Sequence, residues 1–284
     1  MVHNSSSGSS FKRFGFGAAA AVGVAGALVA LSVSGTAGAT SGGTAVKARP
    51  TIVLEHGAFA DASSWNDVIK RLQKAGYPVV APANPLRGPA SDAGYLRSVL
   101  DRIEGPVVLV GHSYGGTVIS DAATGYEGKV KALVYIAAFL PEAGETSLGL
   151  SNKFPGSTLG DAIEAVPYTL TGGTSGTDIY IKRDKFRGQF AADVPRSQAA
   201  LMAATQRPIA AAALEEKSTK AAWKTIPSWS LITTQDYNIP PAAQRFMSQR
   251  ANAHTTEIKA SHAVSASHPD AVTRIIQQAA TTTR

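Results

Sequence analysis

Short, continuously apolar runs alternate along this chain with stretches whose apolar residues recur at helical spacing. Pro50–Glu55, Tyr77–Ala81, Pro106–Val110 and Val130–Ala138 are such runs and read as strands, and the more mixed Ser228–Thr234 and Thr255–Lys259 read as the later ones. Between them, Val68, Ile69, Leu72 and Ala75 mark one helical face that stops at Gly76. Ser91-Asp92 can cap a helix that ends before Gly105-Pro106, and Tyr114–Ala123 reads as a helix closed by Gly125. Ala242–Ala251 and Ala271–Ala280 complete the set. Strands that are apolar throughout need cover on both faces, and strand–helix alternation implies parallel pairing through right-handed crossovers. The predicted architecture is therefore α/β, with a mostly parallel, doubly covered sheet.

One interval breaks this rhythm, from Phe139 to Ala222. Its first part, Pro141–Gly176, is rich in Gly, Ser, Thr and Pro; it then turns Ala-rich, and Ser197–Leu214 is predicted to be helical. A structureless loop of that length is unusual in a compact domain. Residues 141–222 are therefore predicted to form a cap or lid inserted over one edge of the sheet.

The N-terminus reads as a targeting segment. Lys12-Arg13 precede an apolar run from Phe14 to Leu31, and Ala37-Gly38-Ala39 supplies the small-x-small pattern of a cleavage site. Residues 1–39 are thus predicted to be a signal peptide and 40–49 a linker, leaving 50–284 as one domain in a secreted protein. The apolar run is near the lower length for a membrane span, but its many Gly and Ala residues and the cleavage motif favour removal over anchoring, with no stable membrane association afterwards.

Charge and composition narrow the function classes. The net charge of +7 falls to +5 once Lys12 and Arg13 are removed, because no acidic residue precedes position 40. The basic residues are scattered apart from Lys182, Arg183, Lys185 and Arg187, and no basic–aromatic array or nucleic-acid motif is present. There is no cysteine, so disulfides, thiolate metal sites and a cysteine nucleophile are all excluded.

The stretch that carries chemistry is Gly111-His112-Ser113-Tyr114-Gly115-Gly116, set between an apolar strand and a helix. A Gly-x-Ser-x-Gly pattern in a strand–turn–helix context is that of a nucleophile elbow, which lifts a serine hydroxyl off the sheet edge. A serine needs a base to take its proton, and the base needs an orienting acid. Asp236 follows the Ser228–Thr234 strand and His262 follows the last strand. In a parallel sheet the ends of all three strands point to one edge, where ligands bind. His254 begins a strand, and His268 precedes Pro269 at a helix start, where a structural role fits better. His56 and His112 belong to glycine motifs, where they would hold loops through hydrogen bonds. Catalytic roles are accordingly expected for Ser113, His262 and Asp236. His56-Gly57-Ala58-Phe59 follows the first strand, and its position makes the Ala58 N–H, with that of Tyr114, the expected pair of oxyanion donors. Phe59, His112 and Phe139, which flank these motifs, are expected at the substrate pocket.

Together these residues resemble the α/β-hydrolase superfamily over 50–284, and most closely its small branch of methyl esterases and hydroxynitrile lyases. The branch shows a His-Gly-Ala loop followed by a Trp, here His56-Gly57-Ala58 and Trp65. It also shows a Gly-His-Ser-x-Gly-Gly elbow, and a Tyr-x-x-Ala-Phe-x-Pro strand end matched by Tyr135, Ala138, Phe139 and Pro141. The resemblance implies a Ser113–His262–Asp236 triad, oxyanion N–H groups at Ala58 and Tyr114, no metal and no organic cofactor. The lyases carry Lys directly after the histidine where this chain has Ala263, which argues for hydrolysis. Ser113 argues against the superfamily members that use an Asp nucleophile. The expected function is hydrolysis of a small-molecule carboxylic ester or related acyl substrate. Perhydrolase or haloperoxidase, lactonase and amidase chemistry on the same triad are alternatives within catalysis, and a non-catalytic binding protein is the alternative outside it.

Overall fold

A computed structural model describes residues 49–282. The expected signal peptide and its cleavage point lie outside the described residues, as does all of the linker but Arg49. Among the described residues, no helix is long and apolar enough to cross a membrane.

The core is a six-stranded parallel sheet. Its strands are β1 (Thr51–Glu55), β2 (Val79–Val80), β3 (Val107–His112), β4 (Val130–Ile136), β8 (Ser228–Thr233) and β9 (His254–Ile258), in the spatial order β2-β1-β3-β4-β8-β9. Every neighbouring pair runs parallel. The strands β3, β4 and β8 are buried almost throughout; β3 and β4 are accordingly largely apolar, while β8 buries Ser228, Ser230 and Thr233 along with Trp229, Leu231 and Ile232. The two-residue period still decides which face each side chain joins. Ile52, Leu54, Val108, Val110, Val134 and Ile136 pack on one face with Trp65, Leu72, Ile275 and Ile276. These last four belong to or adjoin α1 (Asn66–Lys74) and α11 (Pro269–Thr282). Val53, Leu109, Leu133 and Tyr135 pack on the other face, with Leu96, Val118, Ile119 and Met247. Those four come from α2 (Pro89–Leu100), α3 (Tyr114–Ala122) and α9 (Pro241–Arg250).

Helix α2 begins at Pro89, before the expected Ser91-Asp92 cap. Proline suits the first helical position, and the buried Asp92 carboxylate reaches back to accept from the N–H groups of Arg87 and Gly88 at 3.1 and 3.3 Å.

Between β4 and β8 the chain builds the cap. Helices α4 (Ser147–Asn152) and α5 (Leu159–Ala162) lead into an antiparallel hairpin, β5 (Ile163–Thr169) with β6 (Ser175–Ile181). Then follow α6 (Arg183–Phe190), α7 (Arg196–Thr205), β7 (Ile209–Ala210) and α8 (Ala211–Glu215). One sequence expectation changes here, and one element had no sequence signal. The Gly/Ser/Thr-rich start runs into the hairpin. Its strand β5 is largely exposed and holds Pro167, so it lacks the alternation that marks a half-buried strand. The Ser197–Leu214 helix is in fact two helices, α7 and α8, with the short β7 between them. Pro208 prevents continuation, and Ile209-Ala210 pair with β6 instead.

The cap is tied down by buried polar contacts. On α3 the Asp121 carboxylate, 1 % exposed, accepts from Ser218 Oγ at 2.6 Å, Lys220 N at 2.9 Å and Thr219 N at 3.1 Å, fixing the segment that leaves the cap. Where the chain enters the cap, Arg250 forms a bidentate pair with Glu145 at 2.8 Å, and Trp223 Nε1 donates to Pro141 O at 2.8 Å.

Candidate active site

Ser113 stands alone between β3 and α3 at φ 54°, ψ −125°, a conformation that costs a residue with a side chain on the order of 1–3 kcal/mol. The surrounding backbone holds it there. Ser113 N–H donates to Ile136 O at 3.2 Å, and Ser113 O accepts from Gly116 N at 2.9 Å and Phe139 N at 3.2 Å. The elbow glycines are present for space, since none of Gly111, Gly115 and Gly116 has positive φ. A Cβ on Gly115 would lie 2.5 Å from Glu55 O, one on Gly111 would lie 2.6 Å from Gly115 O, and one on Gly116 would strike Phe139 O. On the opposing loop, a Cβ on Gly57 would lie 2.7 Å from Ser113 Cβ and 3.2 Å from Tyr114 N. The His56-Gly57-Ala58 loop is thus pressed against the serine and against the first N–H of α3, a group with no partner inside its own helix.

His262 and Asp236 meet at the same sheet edge. His262 Nδ1 lies 2.6 Å from Asp236 Oδ2, with both side chains essentially excluded from solvent. The remaining acceptor capacity of the carboxylate is used by its own neighbourhood. Oδ1 accepts from Asn238 N at 2.8 Å and Ile239 N at 3.0 Å, and Oδ2 from Thr233 Oγ1 at 2.9 Å and Gln244 Nε2 at 3.0 Å. With the carboxylate accepting, His262 Nδ1–H is the donor, and Nε2 is left as the basic nitrogen.

The loop that carries His262 is fixed from two sides. Ala263 N–H donates to Phe190 O at 2.9 Å, and Ser261 N–H to Asp193 Oδ2 at 3.1 Å, both from the cap. Ser261 Oγ also bonds Asp193. From beneath, His112 Nε2–H donates to His262 O at 2.9 Å. Burial pushes the His112 imidazole down to about 3, so the ring is neutral at ordinary pH.

A cavity of about 50 Å³ is lined by Ser113, His262, Ala58, Tyr114, Phe59 and Phe139, with Leu148, Leu159 and Leu214 contributed by the cap. The three residues expected to be catalytic, the two expected oxyanion donors and two of the three expected pocket residues therefore converge. His112 does not line this cavity. Its ring packs against His262, Trp65 and Phe190, with centroids 4.7, 6.2 and 6.2 Å away, so it supports the histidine loop from behind.

Residues 52–275 match the alpha/beta hydrolase family. The chain belongs to that family. Alpha/beta hydrolase nvfD of Aspergillus novofumigatus is 28% identical over 253 residues, covering 82% of this chain and 97% of that protein. A carbendazim hydrolyzing esterase of Nocardioides sp. is 36% identical over 113 residues, 36% of this chain, and the match spans about half (47%) of that esterase. Among solved structures, polyneuridine aldehyde esterase superposes with a TM-score of 0.71 at 20% identity, over 81% of this chain and 99% of that one. Two of these similar proteins are named as esterases.

In this alpha/beta hydrolase several supporting residues had no sequence signal. Gln244, Thr233 and Asn238 around Asp236, and Asp193 beside the histidine loop, are polar residues brought in from separate elements. Asp92 was visible only as a possible cap. It accepts from Tyr114 Oη at 2.8 Å, which anchors the residue whose N–H faces the Gly57 loop. The buried setting, and then the Asp92 charge, push the Tyr114 phenol far up, so that hydroxyl stays a donor.

One buried group bears on stability. The Glu55 side chain, at the end of β1, is fully buried with neither oxygen hydrogen-bonded. Burial first, and the Asp92 charge second, hold its carboxyl well above the usual range and keep it neutral. In the unfolded chain the same group ionises above about 4.5, so folding stability falls as pH rises through the window from there to the raised folded value. Glu55→Gln removes that dependence. Denaturant melts between pH 5 and 8 are expected to show the wild type losing up to about 1.4 kcal/mol per pH unit relative to the variant; parallel curves would rule out a neutral buried Glu55.

Proposed function

We propose that this protein is a secreted serine hydrolase of small carboxylic esters, working through an acyl-enzyme on Ser113. The observation that carries the reading is the 2.6 Å contact of His262 Nδ1 with a buried Asp236, next to a strained serine that lines the same cavity as the histidine. In this reading His262 Nε2 takes the Ser113 proton as Oγ attacks the ester carbonyl. The Ala58 and Tyr114 N–H groups receive the oxyanion, and the packing of Gly57 on Ser113 sets their spacing in advance. His262 then passes its proton to the leaving alcohol. Water, deprotonated by His262, releases the acid and restores the serine. Asp236 keeps Nδ1 protonated and stabilises the imidazolium formed in each half-reaction.

Hydrolysis is favoured over the lyase chemistry of related proteins because the position after His262 is Ala263, which is 2 % exposed and offers no charge to the site. The names of the relatives, a carbendazim hydrolyzing esterase and a polyneuridine aldehyde esterase, support an ester substrate without specifying it. Secretion rests on residues 1–39 alone.

On a panel of aryl and alkyl esters, Ser113→Ala is expected to lower turnover by about four orders of magnitude or more, with unchanged folding, and His262→Ala by nearly as much. His268→Ala is expected to lose far less, since that ring bonds Ser267 Oγ at 2.9 Å, away from the cavity. Unaltered rates in Ser113→Ala would refute the reading. For export, Edman sequencing of the protein recovered from the medium is expected to begin at Thr40, and a start at Met1 would contradict cleavage.

A further inference from the structure

The cavity at Ser113 has room for about one or two water molecules, far below the ~300–1,000 Å³ of a typical ligand pocket. Behind one of its walls lies a groove of about 460 Å³, which is in that range. The wall is Phe59, the one residue that lines both. Its backbone is at φ 61°, a region where a bulky residue is a true outlier. Two cap residues keep it there. Phe59 N–H donates to Arg207 O at 2.9 Å, and its ring meets Phe190 edge-on at 6.4 Å. Phe190 in turn packs edge-on against His262 at 5.0 Å.

The groove and the small cavity take different parts of the chain. The small cavity is closed by Leu148, Leu159 and Leu214 of the cap. The groove runs between the turn after Ala58, helix α7 with Leu201 and Met202, and Ser265-Ala266. Ser265 and Ala266 belong to α10 (Val264–Ser267), the turn of helix that closely follows His262. In acyl transfer the leaving oxygen must receive its proton from the histidine, so the alcohol portion of an ester projects past the histidine.

We propose that the groove is the subsite for the leaving alcohol and that Phe59 is the partition side chain that decides how large an alcohol is accepted. This rests on the serine-hydrolase reading. The acyl group occupies the cavity walled by Leu148, Leu159 and Leu214. The alcohol extends past a displaced Phe59 ring onto Leu201 and Met202. The apolar surface of Phe59, Ala60, Leu201, Met202 and Ala266, set among polar groups that include the Asp67–Lys70 ion pair at 3.1 Å, suits a bulky, uncharged alcohol with an aromatic or alicyclic body.

The test is the rate of Ser113 phosphonylation, read by mass mapping, with three probes. The first is a methylphosphonate with fluoride as leaving group, the second has the same phosphonyl group with 2-naphthyloxide leaving, and the third pairs fluoride with a decylphosphonyl group. Phe59→Ala is expected to raise the naphthyloxide-to-fluoride rate ratio at least about tenfold over wild type, while the decyl-to-methyl ratio moves less than about twofold. Leu201→Trp, at an exposed position where folding is safe, narrows the groove and is expected to lower the naphthyloxide-to-fluoride ratio. Phe59→Leu provides an intermediate if the alanine variant does not fold. An unchanged naphthyloxide-to-fluoride ratio in both the Phe59 and Leu201 variants overturns the subsite, and a rise in the decyl ratio instead reassigns the groove to the acyl group. Absence of any Ser113 adduct in the wild type is a separate failure: it overturns the hydrolase reading and, with it, this one.

Discussion

Everything at this site depends on how closely three backbone segments approach one serine. The end of β1, the elbow after β3 and the strand exit at Phe139 lie so near one another that a single added Cβ at Gly57, Gly115 or Gly116 would collide with main chain or with Ser113. That crowding holds Ser113 in its strained conformation and turns the start of α3 toward the same space. Strain of on the order of 1–3 kcal/mol persists only where the surroundings over-determine the backbone. Here three backbone hydrogen bonds on Ser113 and the packed glycines do so.

The second constraint is the placement of Asp236. Five donors converge on one buried carboxylate, from a strand end, two loops and a helix. An acceptor so thoroughly engaged cannot rotate, and His262 inherits its fixed orientation. The cap then adds a third layer. Phe190 and Asp193 hold the histidine loop, while Phe190 and Arg207 hold Phe59. The elements that shape the cavity are thereby the same ones that orient the base, so changes in the cap should be felt in both.

The core was legible because its central strands β1, β3 and β4 are largely apolar on both faces, a pattern that little besides a doubly covered sheet produces. Parallel pairing then brings residues after different strands to a common edge, which is why Ser113, Asp236 and His262 could be grouped from positions far apart in the chain. What stayed hidden was of two kinds. The β5–β6 hairpin is too exposed to show a period, and Pro167 argues against a strand when its neighbourhood is read alone. The polar supports Gln244, Asn238, Asp193 and Asp92 act through contacts between distant elements, for which no local spacing exists. His112 shows the limit of reading from adjacency. It precedes Ser113 in the chain, yet strand alternation sends its ring to the opposite side, under His262.

The most direct measurement is a crystal structure of the protein inactivated by a small phosphonate. The account expects a covalent bond to Ser113 Oγ, the phosphoryl oxygen within hydrogen-bond distance of both Ala58 N and Tyr114 N, and His262 still bonded to Asp236. A phosphoryl oxygen turned away from those two N–H groups, or a phosphonate attached at another residue, would contradict it.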